Sequence, residues 1–298
     1  MSNNFPDDIN TYKDFCNVIK GKTAKDMQYM YDTLYFTNHI GSKDIGASYF
    51  NSDGLHKLAW IKKIIDTVTF NKEDVVLDIG CGRGELVFQL AHIFKLRAIG
   101  IDYSRECVNF LNDIKRKHPI EVQENIGFYC VNAEKIELED NCIDKIFIVE
   151  TIEHISNKEF INILKECKRL LKPNGLLYIA SKSNKWFDSS GFYILKLLYY
   201  LFKRERLLHP KVGQFKYLKQ DKDYDESKIF LHINEQSVLS LKYILMKAGF
   251  KSTISMDNTN NLFNCATLKK NKFLAFLYDL FRLKYLFGDG FTVFAYKK

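Results

Sequence analysis

The chain has no run near the roughly eighteen uncharged apolar residues that a membrane-spanning helix needs, which excludes a simple spanning segment. Its opening residues, MSNNFPDDIN, are polar and hold no apolar h-region, so they are not expected to act as a secretory signal. Cysteine is sparse and odd in number: seven residues, none in a CxxC pair. That count speaks against a disulfide framework and for a reducing, cytoplasmic compartment. Internal repeats and low-complexity blocks are missing too, which sets solenoids and arrays aside. What is there is ordinary for a globular protein. At 46% hydrophobic and 27% charged residues, wholesale disorder is excluded. The 298 residues suffice for one large domain with additions, or for two ordinary ones.

Charge is unevenly spread. The formal net charge is +8, from 44 Lys and Arg against 36 Asp and Glu. Between Trp186 and Lys222 stand eight basic and three acidic residues, and from Ala266 to Lys298 seven and two. Each segment therefore carries +5, and the rest of the chain sums to −2. Both segments are rich in Leu, Phe and Tyr. Such local basic, apolar stretches point to a surface partner, peripheral membrane contact included, more than to nucleic acid, whose footprint would be a stronger basic patch. The alternative is that they form helices that cover a pocket or pack against a second subunit.

Residues 1–22 show little periodicity and read as a loose arm. Thr23 with Asp26 resembles a capping pair, and Met27, Met30, Tyr31 and Leu34 share a face, which predicts a helix. A polar stretch, HIGSKDIGASYFNSDG, separates it from a second helical stripe of Leu55, Leu58, Ala59, Ile61, Ile64 and Ile65. The region reads either as a helical cover over one end of the core or as a hinged lid. From Asp74 the texture changes. VVLDIG, RAIGID, IGFYCVNA, KIFIVE and GLLYIAS read as strands, and CGRGELVFQLAHIF, SRECVNFLNDIKRK and KEFINILKECKRLL as the helices between them. That alternation predicts an α/β fold with a parallel sheet covered on both faces. EQSVLSLKYILMKAGF then predicts a helix whose apolar face is Val238, Leu241, Leu245 and Ala248, stopped by Gly249. FKSTISM and FTVFAYKK are expected to be the last two strands.

The sharpest local signal is Leu77-Asp78-Ile79-Gly80-Cys81-Gly82-Arg83-Gly84, which closes a strand and opens a helix. Glycines there adopt unusual dihedrals and let a nucleotide approach the backbone. Asp102 ends the next strand, where an acid can accept hydrogen bonds from both hydroxyls of a ribose. Together they suggest an adenosine-containing ligand; the plain alternative is a tight turn beside a solvated acid. A dehydrogenase would also suit Asp102, but the spacing differs from Gly-x-Gly-x-x-Gly. The cysteines do not read as nucleophiles: Cys81 sits in the turn, and Cys130 and Cys167 are expected to pack in the interior.

These residues resemble the class I S-adenosylmethionine-dependent methyltransferases, specifically the small-molecule and glycan-associated group that includes quinone-biosynthesis enzymes. VLDIGCGRGE resembles the first motif, IGIDYS the second, VNAEKIELEDNCIDKIFIVETIEHI the third and fourth, and LLKPNGLLYIAS the turn and strand after them. HINEQSVLSLKYILMKAGF is similar to the helix before the sixth strand. The resemblance spans roughly 55–182 and 229–256. It implies a doubly wound, Rossmann-like sheet of seven strands in the order 3-2-1-4-5-7-6, the last antiparallel, with S-adenosyl-L-methionine over its carboxyl ends. Residues 1–54 would be an N-terminal arm and helical lid. Residues 55–298 would be the methyltransferase domain, with basic apolar insertions at about 186–225 and 266–289.

Carried over position by position, Asp78, Gly80 and Gly82 would frame the methionine part of the cofactor and Asp102 the ribose. Tyr103 would lie beside the adenine, and Ala133 would offer its N–H to the ring. Asn132 stands where the group more often has aspartate to receive the adenine amino group, which keeps a carbonyl acceptor and loses the charge. Glu150 would lie beside the cofactor's amino-acid end. His154 is the candidate base for an oxygen acceptor and Glu153 its orienting partner, against packing or solvent-facing roles for each. The expected reaction is methyl transfer to oxygen or nitrogen of a small molecule, a sugar or a lipid-linked intermediate. One alternative is a magnesium-dependent RNA 2′-O-methyltransferase, since Glu150, Glu153, His154 and His232 resemble such an ion site, although two imidazoles suit Mg²⁺ poorly. The other is a non-catalytic scaffold that retains the cofactor.

Overall fold

In a computed structural model of the chain, the described residues are 53–55, 58–182, 184–185, 234–257 and 290–297. Strand β1 (Val75–Ile79) sits at the middle of the sheet because its side chains are apolar in both directions: Val76, Leu77 and Ile79 are all at most 2% exposed. A strand covered on both faces reads as such a continuous run. β1 pairs in parallel with β2 (Arg97–Asp102) on one side and β4 (Ile143–Val149) on the other. β3 (Ile126–Cys130) extends the sheet beyond β2, and β5 (Leu171–Ser181) beyond β4. β7 (Gly290–Lys297) then slots antiparallel between β5 and β6 (Phe250–Asp257). The order is β3-β2-β1-β4-β5-β7-β6, as the resemblance implies.

The helices α1 (Ala59–Thr67), α2 (Glu85–Phe94) and α3 (Arg105–Lys115) pack one face of the sheet, in a core that joins Ile61, Ile64, Phe88 and Leu111 to Phe128, Phe147 and Tyr178. The short α4 (Ile120–Gln123) adds Val122. On the other face α5 (Asn157–Leu170) and α6 (Val238–Lys247) bring Phe160, Leu164, Leu241 and Leu245 against Leu77, Ile146, Ile148 and Phe291. Serine hydroxyls begin three of these helices. Ser104 caps α3, while Ser156 and Ser237 form reciprocal capping boxes on α5 and α6, satisfying N–H groups that a helix start otherwise leaves unpaired. Gly249, at φ 83°, ends α6 where the apolar stripe stops.

Several boundaries differ from the sequence reading. α2 begins at Glu85 and not at Cys81, because Gly82 and Gly84 hold φ of 49° and 70°, incompatible with a helical start. β3 ends at Cys130, and that thiol is exposed although interior packing is expected for it. The reason is topological: β3 is the edge of the sheet. Cys167, inside α5, is fully buried as expected. β5 starts at Leu171, ahead of the expected Gly175, across a bulge opposite Ile143 and Lys145. The expected helix from Thr23, His232 and the basic segments at 186–225 and 266–289 lie outside the described residues. Among those described, no helix is long and apolar enough to cross a membrane.

Leu164 and Ile161 lie on the same helix but differ in burial, at 0% and 39% exposed. Leu164→Ala should lower unfolding free energy by about 3 kcal/mol, and Ile161→Ala by less than about 1 kcal/mol, read from urea denaturation of the purified variants.

Candidate active site

The carboxyl ends of β1, β2, β4 and β5 open onto one cavity of about 830 Å³, with α1 as a side wall. Its tightest element is the turn after β1. The N–H groups of Gly80 and Cys81 both donate to the Ile101 carbonyl, at 2.9 and 3.0 Å, and Gly84 N–H donates to Cys81 O at 2.8 Å. Gly80 has φ 71°, and a Cβ built on it would stand 2.6 Å from the Thr151 side chain. Both conformation and space demand glycine there. The backbone is consequently bare on the cavity side, as a ligand in close approach requires.

Asp102 reaches across from β2 to hold this turn. Its Oδ2 accepts the Gly82 N–H at 3.0 Å and its Oδ1 the Ser104 N–H at 2.9 Å. Burial pushes the carboxyl upward, and the N–H groups of Ser104, Gly82 and Tyr103 pull it back. Asp78 is 7% exposed and has no comparable set of opposing effects: burial, with Asp102 and Glu85 nearby, pushes it to about 8. Glu150 follows β4 at φ 50°, a left-handed conformation costly for a side chain of this kind. Burial and the neighbouring Glu153 push it to about 8 as well, against the opposing pull of Lys182.

The structure brings Asp78, Gly80, Gly82, Asp102, Tyr103, Asn132, Ala133, Glu150 and His154 to this single cavity. Glu153 is the exception. It is 1% exposed, stands off the cavity wall, and among the described residues its Oε2 has no hydrogen-bond partner. Asn132 is on the wall, but its Oδ1 already accepts the Glu134 N–H at 2.9 Å, a local turn that uses part of its acceptor capacity. Among the described residues no group of three or more His, Cys, Asp or Glu is placed to hold a metal ion. Sequence reading missed the opposite half of the cavity, lined by Trp60 and Lys63 of α1, Tyr178 and Lys182 at β5, and Asp257 of β6. The stripe around Ile61 and Ile64 located α1 but gave no sign that Lys63 would face strands far along the chain.

A bare glycine turn, two carboxylates at successive strand ends and a strained acid after β4 form a donor set suited to a cationic, ribose-bearing ligand. A family model described as a methyltransferase domain matches residues 70–203. Over these residues the chain is similar to the class I S-adenosylmethionine-dependent methyltransferases. Its homology lies with quinone and small-molecule enzymes. The ubiquinone/menaquinone biosynthesis C-methyltransferase UbiE of Vibrio cholerae is 27% identical over 223 residues, covering 71% of this chain and 76% of the relative. The phosphoethanolamine N-methyltransferase of Plasmodium falciparum is 28% identical over 160 residues, 52% of this chain and 57% of the relative. Among solved structures, the geranyl diphosphate C-methyltransferase of Streptomyces coelicolor aligns with a TM-score of 0.53 at 14% identity, over 96% of this chain and 97% of that one. Identity that low establishes the shared fold and leaves the acceptor to the site itself.

The raised Asp78 value fixes a pH dependence for the protein. A carboxyl that titrates near 8 when folded and near 3.8 when unfolded gives stability that is full below about pH 4 and is lost as pH rises to 8. Asp78→Asn should therefore exceed the wild type in urea resistance at pH 8, with the difference shrinking toward pH 5. Equal pH slopes for the two proteins would contradict the assignment.

Proposed function

We propose that this protein moves a methyl group from S-adenosylmethionine to an oxygen or nitrogen of a small acceptor held in the α1 half of the cavity. The observation that carries the reading is convergence: Asp78, Asp102, Glu150 and His154 come from three separate strand ends and meet at one cavity wall. The cofactor supplies a methyl already activated on a sulfonium, so the protein's main task is alignment.

Asp102, anchored by two backbone N–H groups, keeps lone pairs for the ribose hydroxyls. Asp78 and Glu150 would shed their protons beside the cofactor's cationic end, which matches burial-raised carboxyls to a ligand of opposite charge. Tyr103 and Ala133 would flank the adenine, and Asn132 would offer its remaining acceptor capacity to the amino group. His154, on the wall just past the strained Glu150, would take the proton of a hydroxyl acceptor. Glu153, buried next to it in sequence with an oxygen that has no partner among the described residues, would steady the imidazole once it becomes cationic. The relatives' names include a quinone C-methyltransferase and a phosphoethanolamine N-methyltransferase, so the acceptor here is sought among small metabolites, with sugar and lipid-linked intermediates among them.

Asp102→Ala should weaken S-adenosylmethionine binding at least 100-fold by calorimetry, with an unchanged circular dichroism spectrum. His154→Ala should leave cofactor affinity within twofold and lower the rate about 10²- to 10⁴-fold on an acceptor found by labelled-cofactor screening of a cell extract. Wild-type affinity in Asp102→Ala would refute the cofactor assignment. Activity lost on stripping divalent ions, with an RNA 3′ end as acceptor, would favour the RNA reading. Cofactor binding without transfer to any extract component would leave a scaffold.

A further inference from the structure

The reading above needs an acceptor compartment, and the strand order shows where one exists. The ends of β1, β2 and β3 carry the residues suited to the cofactor, and β4 stands in the middle. The ends of β5, β7 and β6 close the other half together with α1. That half is walled by Trp60, Ile64, Tyr178 and Met256; Lys182 stands at its border with β4, where its charge acts on Glu150, and a polar cluster around Lys63 interrupts the apolar wall. Lys63 Nζ donates to both oxygens of Asp257 and to Thr292 Oγ1, each at 2.7 Å. Thr292 Oγ1 in turn donates to Asp257 Oδ2 at 3.0 Å, and Tyr178 is in hydrogen-bond contact with the same threonine.

The inventory of this cluster is asymmetric. An ammonium has three N–H donors, and all three of Lys63 are taken. The Thr292 hydroxyl has spent its one donor. A carboxylate has about four lone-pair positions, and among the described residues three contacts reach Asp257: one at Oδ1 and two at Oδ2. The capacity left over is therefore an acceptor, on Asp257 Oδ1, in a pair whose charges already cancel. Lys63 and Asp257 are 41% and 29% exposed in their side chains, so the cluster lies at the rim where an incoming molecule can reach it.

We propose that Asp257, with Lys63 saturated beside it, is the specificity-determining residue for the acceptor: it takes a hydrogen bond from a neutral hydroxyl and turns away an acceptor that carries phosphate or carboxylate at that position. An anion there would find no free Lys63 donor and would stand against Asp257, while Lys182 is turned to Glu150. A neutral hydroxyl would find an acceptor oxygen, with the apolar walls to take the rest of the molecule.

The test uses the full chain loaded with S-adenosylhomocysteine and three probes: catechol, 3,4-dihydroxybenzoate and phosphoethanolamine, with binding followed by ligand-observed NMR. Catechol should bind at least tenfold more tightly than either charged probe. Asp257→Asn should free the Lys63 charge, weaken catechol at least fivefold and tighten 3,4-dihydroxybenzoate at least fivefold. Lys63→Met should give no such gain for the carboxylate. A merely structural latch would weaken all three probes alike. The inference is overturned if the wild type binds either charged probe as well as catechol, if it binds none of the three, or if Asp257→Asn leaves the ratio unchanged. Should Asp257→Asn not fold, as judged by circular dichroism, the wild-type preference among the probes decides alone. Failure of the wild type to bind S-adenosylhomocysteine would instead count against the functional reading itself.

Discussion

The geometry at the carboxyl end of the sheet depends on the Asp102 carboxylate. It sits at the end of β2, yet its two oxygens are bound by N–H groups from two different turns, Gly82 after β1 and Ser104 after β2. Hydrogen bonds to a charged acceptor are the stronger kind, and these two pin the first two βα turns to each other. Ser104, held in this way, caps α3 through its hydroxyl, and Gly82 leads into Gly84, where α2 begins. One carboxylate thus fixes the approach angle of two helices and the rim of the cavity. The Cys107 thiol, donating to the Gly82 carbonyl, fastens the same turn from the α3 side.

Much of this was legible in the sequence because the determinants are local or periodic. A parallel strand buried on both faces must be apolar throughout, so VVLDIG and KIFIVE stand out, and the glycines after β1 mark a turn that tolerates no Cβ. The strand order and the nine residues meeting at the cavity came through the family resemblance, which is a statement about combined motifs. What stayed hidden was non-local. Lys63 and Asp257 are 194 positions apart, and Lys63 and Thr292 are 229 apart, so no window of sequence contains the cluster. It exists because β7 inserts between β5 and β6. The exposure of Cys130 has the same origin, since only the assembled sheet makes β3 an edge. Asn132 illustrates a third kind of gap: its identity was readable, but its side chain's commitment to the Glu134 N–H was not.

Electrostatically the cavity is the inverse of the chain as a whole. The formal charge of the chain is +8, while Asp78, Asp102, Glu150 and Asp257 gather at one cavity. Desolvation makes such a cluster costly when every member is ionised, and Asp78 and Glu150 relieve it by holding their protons to about pH 8. Under the proposed reading, a bound cation would let these carboxyls ionise at lower cost. Buried carboxylates of this kind oppose stability and serve binding, which is a common trade at functional sites.

The antiparallel insertion of β7 has a consequence for how the enzyme can vary. Asp257 ends β6 and Gly290 begins β7 at the same rim, where the two residues pair in register. A right-handed parallel crossover would have returned the chain to the far end of the sheet before starting a new strand. The reversal instead makes both ends of the connection between them share the doorway of the cavity. Ser181, the last residue of β5, stands at that doorway too. Both long connections of the chain are therefore rooted at the entrance. They can lengthen, shorten or change composition without disturbing a single strand pairing. Asp257, the residue proposed to read the acceptor, is the last of its strand, so it is held by the sheet on one side and adjoins a connection of variable length on the other.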